Sequence, residues 1–162
     1  MKNYYYIFIA MIVWACKDPI KGELGQPLSK IDGIHGAWEL VGIIQTDEKA
    51  PNKRQLDLSD YYDAFVLNFD KNDFSFYLDS TLMTSGNNFF GTSGTWSFYN
   101  SQFSEYDLIY PDGIRIISPL SDTIDFNLVN PIREYDATLN LKLYRKCEGE
   151  QTLSYQFIFD RK

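Results

Sequence analysis

The sequence predicts an all-β protein: one antiparallel up-and-down β-barrel of about eight strands. Two observations lead to that class. Apolar and polar residues alternate with period two through most of the chain, as in strands with one face in a core and the other in water. Between those runs stand short connectors of turn residues, and none has the length and 3.6-residue period of an amphipathic helix. An open sheet of that many strands would leave two bare edges, and closing it removes both. The composition agrees, because 12 Tyr and 12 Phe bring the aromatic fraction of the 162 residues to 17%, suited to strands and unlike a disordered chain.

The chain opens with a segment outside this barrel. Lys2 supplies a positive start, and Tyr4 to Ala15 is an apolar run of about twelve residues, too short for a bilayer span and suited to a secretory leader. It ends in Val13-Trp14-Ala15-Cys16, which resembles a bacterial lipobox. The resemblance implies cleavage after Ala15 and acylation of Cys16. Three acyl chains at about 0.8 kcal/mol per buried methylene would hold the protein at a membrane permanently. Lys17-Asp18 resembles the short Lys-Asp/Glu signal that sends some Gram-negative lipoproteins to the cell surface, although Pro19 departs from it. The expected address is the outer membrane of the bacterial cell envelope, at its surface or its periplasmic face. Residues 17–30 carry Pro19, Gly22, Gly25 and Pro27 without periodicity and read as a tether. The expected division is a leader over 1–15, the lipidated cysteine and tether over 16–30, and the barrel over 31–162.

Within the barrel, alternation marks Trp38, Leu40, Gly42 and Ile44; Phe65, Leu67 and Phe69; Phe74, Phe76 and Leu78; and Trp96 with Phe98. It continues in Leu108 and Tyr110, Ile114 and Ile116, Ile124 to Leu128, Ala137 to Leu143, and Leu153 to Phe159. Asp70-Lys71-Asn72-Asp73, Pro111-Asp112-Gly113 and Cys147-Glu148-Gly149-Glu150 carry tight-turn chemistry. Leu56 to Tyr62 is expected to form a short helical turn over one end of the barrel.

His35-Gly36-Ala37-Trp38-Glu39-Leu40 opens the first strand with Gly-x-Trp, and Gly91 to Phe98 carries a Gly-Thr-Trp strand. Both resemble the lipocalin-like domains of bacterial lipoproteins of uncharacterised function, over roughly Ile31 to Arg161. The resemblance implies a lipocalin-like barrel in which a basic residue of the last strand packs on the motif tryptophan. By position that residue is Arg161, so Gly36, Trp38 and Arg161 are the expected barrel-closing set. A guanidinium over an indole face contributes about 0.5 to 2 kcal/mol. What the family implies for function is binding of apolar small molecules or docking of proteins.

Charge and residue inventory exclude several activities. The net charge is −7, or −8 once Lys2 leaves with the leader, and no basic stripe interrupts it, so nucleic acid is not an expected partner. A single histidine, His35, rules out a multi-histidine metal site. Cys147 is the one thiol left after lipidation, so no disulfide forms within the monomer, and partial burial is expected for it. A Cys147/His35 dyad is the one nucleophilic pairing the sequence offers. Asp57, Asp60 and Asp63, three apart, would share a helical face, and Asp70 to Asp73 begins like a calcium loop without its glycine and closing glutamate. No catalytic residue, metal or cofactor is expected.

Two non-catalytic readings remain. The inward phase is almost wholly apolar, and an empty cavity of about 300 Å³ would cost on the order of 7 kcal/mol. The barrel is therefore filled either by its own side chains or by a ligand. As a binder of an apolar or amphipathic small molecule, it is expected to use Phe74, Phe76, Trp96 and Phe98 as lining at a widened end. Phe89 and Phe90, on the loop from Ser80 to Gly91, would serve as its lid. As a solid interaction module it would present outward aromatics, Tyr77, Tyr99, Phe89 and Phe90, to a protein or glycan.

Overall fold

A computed structural model describes residues 29–79, 90–99, 111–119 and 122–162. The expected strand at Leu108 and Tyr110, Cys16, the tether up to residue 28, and Phe89 lie outside the described residues. The rest is nearly all β. A short helix α1 (Lys30–Ile34) leads into β1 (Gly36–Asp47), β2 (Gln55–Asp57), β3 (Val66–Phe69), β4 (Ser75–Asp79) and β5 (Ser93–Tyr99). β6 (Gly113–Ile117), β7 (Thr123–Leu128), β8 (Thr138–Cys147) and β9 (Glu150–Arg161) complete it. Among the described residues no helix is long and apolar enough to cross a membrane.

Consecutive strands from β3 to β9 pair antiparallel. One edge of β1 is shared: Gly36–Glu39 pair with β3, and Ile44–Thr46 with the short β2. Its other edge carries β9 from Trp38↔Arg161 to Asp47↔Leu153, and that ladder closes a barrel of eight strands with β2 as an addition. The base is the end where β1 begins and β9 finishes. The mouth is the opposite end, with the β6–β7 and β8–β9 turns. The turn at Glu148-Gly149 has both residues left-handed (φ 53 and 86), as a tight primed hairpin requires.

Three local features differ from the simple alternation. A bulge between Leu40 and Gly42 inserts one residue into β1. The phase flips there, so Ile43 is buried, Val41 is half exposed, and Ile44 no longer shares the face of Trp38 and Leu40. The turn expected over one end, a 3-10 turn at Ser59–Tyr61, lies instead along the barrel wall. Leu58 N–H donates to the Ile43 carbonyl (2.8 Å) and Ile43 N–H to Ser59 Oγ (3.1 Å), filling the edge of β1 between β2 and β3. α1 has no long apolar period to announce it. It forms because Ser29 caps it, accepting from Asp32 N–H at 3.1 Å, and because Gly33 packs where a Cβ would meet the Arg133 backbone at 3.0 Å.

The core runs the length of the barrel axis. Trp38, Leu67, Phe126, Phe157 and Phe159 are at most 1% exposed, and Phe90 joins them. Gly94, opposite Phe76 in the ladder, leaves room for that ring, since a Cβ there would lie 2.8 Å from Phe76 Cε1 and collide with the Ile117 carbonyl.

Candidate functional site

The base is sealed by a residue cluster built around Trp38. Its ring is fully buried and its Nε1–H donates to the Ile34 carbonyl at 2.8 Å, which turns α1 back under the barrel. The Arg161 guanidinium lies over the ring, 4.3 Å from its centroid. Its three nitrogens fan out: Nε to Asp136 O (3.0 Å), Nη1 to His35 O (3.0 Å) and Nη2 to Gly33 O (2.7 Å). Gly36 has φ 123, a conformation L side chains rarely adopt, and this brings the chain from α1 onto β1 beside that guanidinium. One side chain thus joins the last strand to α1 and to the connector before β8, while the indole face shields it from water.

The aromatic set expected to line an open mouth lies at the base instead. Trp96 donates from Nε1 to the Asp70 carbonyl (2.9 Å) and packs edge-on to Phe69 and Phe98 and at a tilt to Phe74, with centroids 5.3 to 5.6 Å apart. Phe76 is fully buried, whereas Phe74 is 41% exposed. Alternation reveals which face a side chain occupies and not its height along the barrel, and these four come from the lower ends of β4 and β5. Phe90 is likewise neither a lid nor an outward aromatic. It is 1% exposed, stacked on Phe126 at 4.6 Å with an interplanar angle of 4°, and edge-on to Phe157 and Phe159. Gly91 beside it is left-handed (φ 75), and there the chain leaves the core for β5.

At the mouth the structure brings together residues the sequence did not single out. A cleft of about 380 Å³ is floored by Phe90, Ile116 and Ile124 and rimmed by Thr92, Ser118, Pro119 and Asp122. The rim is shaped by the β6–β7 turn, where Ser118 N–H donates to Asp122 O and Asp122 N–H to Ser118 Oγ. The floor is apolar and the rim carries the Thr92 and Ser118 hydroxyls and the Asp122 carboxylate, an arrangement that suits an amphipathic molecule. A second opening lies in the wall. β7 and β8 pair only at Asn127↔Lys142 and Leu128↔Leu141 and then part, leaving a groove of about 470 Å³ that includes Tyr99, Asp125, Tyr144 and Lys146. Burial, with Asp125 and Asp112 adding to it, pushes the Tyr99 phenol above its usual value. Tyr77 stands 55% exposed on the outer face.

Glu48 is a further residue that sequence reasoning passed over. Its carboxylate is only 7% exposed on the outer wall and accepts from Ser154 Oγ (2.6 Å), with Lys142 at 3.0 Å and Lys53 at 3.1 Å. The Ser154 hydroxyl first, and then Lys142, hold its pKa down to about 2 against an ordinary 4.5. The folded value is the lower one, so this stabilisation is full above pH 4.5 and is lost as pH falls from there towards 2. The shift sets a ceiling of about 3.4 kcal/mol, and water reaching the site past one loop lowers the expectation to roughly 2 kcal/mol. Urea unfolding of Glu48→Gln should show that loss at pH 7 and a much smaller one at pH 2.5.

The remaining candidates separate. Cys147 is exposed at the mouth, not partly buried, because β8 runs past its last contact with β7 and a bulge at Arg145/Lys146 turns its end outward. His35 lies at the base, its Nδ1 2.8 Å from the Phe69 carbonyl. About eleven residues of β9 separate the two ends, roughly 35 Å, and no dyad can form. Asp57 accepts the N–H and hydroxyl of Ser59 and shapes its turn, and Asp70 and Asp73 likewise hold their own hairpin. Among the described residues no three His, Cys, Asp or Glu side chains gather as a metal site requires.

No curated protein matches the chain. One family does match, over residues 15–160, and the chain belongs to it: the family described as a domain of unknown function, DUF5004.

Proposed function

We propose that this protein is a lipid-anchored, non-catalytic component of the bacterial outer membrane whose barrel takes a small apolar or amphipathic molecule at its mouth. The observation that carries the reading is the asymmetry of the barrel's two ends. The base is sealed by Trp38 and Arg161, and the mouth holds a 380 Å³ cleft with an apolar floor and a polar rim. That volume lies at the small end of ligand pockets. The occupant is therefore compact and sits above Phe90 without running down the barrel axis. The Gly36-x-Trp38 opening with Arg161 over the indole supports kinship with lipocalin-like barrels. Anchoring is supported by the lipobox-like Val13 to Cys16.

The test is displacement of an anilinonaphthalene sulfonate probe by medium-chain fatty acids and small terpenoids. Tryptophan emission is a poor reporter, since Trp38 and Trp96 both sit in the base half. Saturable one-to-one binding that Ser118→Trp abolishes without changing the unfolding midpoint is the expected outcome. Absence of saturable binding to any such compound sinks the ligand reading. A second reading, a solid barrel used for contact with a protein or glycan, is favoured by the wall groove between Tyr99 and Tyr144. It is the one left standing if the cleft stays empty and Tyr144→Ala removes binding to a glycan array.

A further inference from the structure

We infer that the base of the barrel is a lipid-facing surface, so that the protein stands on the membrane on its closed end and directs the mouth cleft away from it. This rests on the anchored reading above and adds to it an orientation and a set of contact residues. The chain from Cys16 meets the barrel at the base, entering α1 from Ser29. Thirteen residues reach at most about 45 Å.

Three exposed apolar side chains lie on two connectors at that same end. Phe74 is on the β3–β4 hairpin (41% exposed), and Val129 (42%) and Tyr135 (78%) are on the connector before β8. The rim of the mouth instead presents Lys49, Lys53, Glu148 and Glu150 beside two exposed apolar side chains, Ile117 at the end of β6 (39%) and Leu56 on β2 (56%). Phe74 is the informative one. It is left-handed (φ 55), at a hairpin position that glycine or asparagine fills without strain. An aromatic ring there costs backbone energy, and although one side of it packs on Trp96 at 5.3 Å, the rest stays in water, where a lipid surface would cover it. The Asp70, Asp73 and Glu134 carboxylates keep their negative charge beside it, so the surface it suits is a zwitterionic lipid rather than an anionic one, and the remaining groups are engaged within the base. Lys71 pairs with Asp32, Asp70 and Asp73 accept their own turn's N–H groups, and Arg161 is committed to three carbonyls.

Native reporters stand at the two ends. Trp38 and Trp96 are in the base half, and Cys147, the remaining thiol once Cys16 is acylated, is at the mouth. The full-length acylated protein is reconstituted into phosphatidylcholine vesicles, with alkyne fatty-acid labelling of Cys16 scored on the same sample. Brominated lipid is expected to quench tryptophan emission, and a fluorophore on Cys147 to transfer little energy to an acceptor at the lipid surface. Phe74→Asn, which suits the left-handed backbone, combined with Tyr135→Ser, is expected to remove the quenching while the protein stays anchored. Equal quenching in the wild type and that double variant, or strong transfer from Cys147, overturns the orientation and leaves the anchor intact. If Cys16 does not label, the anchored reading fails, and the base is judged on the unacylated chain added to the same vesicles. Salt-insensitive association that the double variant weakens about tenfold supports it. No association, or a dimer that Phe74→Asn dissolves, overturns it.

Discussion

Replacing Phe90 by alanine should lower stability by about 3 to 5 kcal/mol, the largest loss expected of any single truncation at the mouth end. Phe90 belongs to no regular element, yet its ring lies flat on Phe126, edge-on to Phe157 and Phe159, and within 5.8 Å of Phe65. Removing it withdraws one ring from a cluster contributed by β7, β9 and the segment before β3, and the strands cannot close over the gap without breaking their ladders. In thermal unfolding the loss should appear as a drop of roughly 10–20 °C in Tm for a domain of this size. The space left, on the order of 100 Å³ and apolar, deepens the mouth cleft that Phe90 floors, and apolar spaces of that size bind benzene-sized molecules. Benzene or indole should therefore raise the Tm of Phe90→Ala more than that of the wild type. A loss under 1 kcal/mol would mean that the ring is not part of the packed axis, and the barrel would have to be regarded as open along its length.

This residue also marks where the sequence stops being legible. Strand faces were readable because burial on one side of a sheet imposes period two, and Leu67, Phe126, Leu139, Leu141, Phe157 and Phe159 all lie where that period puts them. Gly-x-Trp pointed to the closed end because its chemistry is local: glycine for the left-handed entry and indole for the seal. Phe90 carries no periodicity, standing between a loop and Gly91, so nothing in the local pattern tells an outward ring from an inward one. The bulge in β1 is invisible for a similar reason, since Val41 and Ile43 alternate as acceptably as Gly42 and Ile44. The mouth cleft combines Ile116, Ser118 and Ile124 with Phe90, which meet only through shear between strands, a quantity that alternation does not encode. Glu48 sits in a charged loop reading as solvent, and its partners Lys142 and Ser154 are about a hundred residues away in sequence.

Arg161→Met should cost about 3 kcal/mol, and Arg161→Lys about 2 kcal/mol, although the one loses the charge and the other keeps it. Methionine preserves an apolar stem over Trp38 but leaves the carbonyls of Gly33, His35 and Asp136 without the three donors that now reach them. Lysine restores a cation above the ring, yet a single ammonium cannot span three carbonyls held by α1, the start of β1 and the connector before β8. The loss should be local before it is global. Hydrogen exchange in Arg161→Met is expected to speed first in α1 and at 129–137, while the paired centre of β8 and β9 stays protected. Trp38 emission should shift red as water reaches the ring that the guanidinium now covers. Equal exchange acceleration at mouth and base would show that Arg161 supports the whole barrel rather than its closure. Full recovery by lysine would assign the stabilisation to the charge over the indole and leave the three-carbonyl fan with no energetic part.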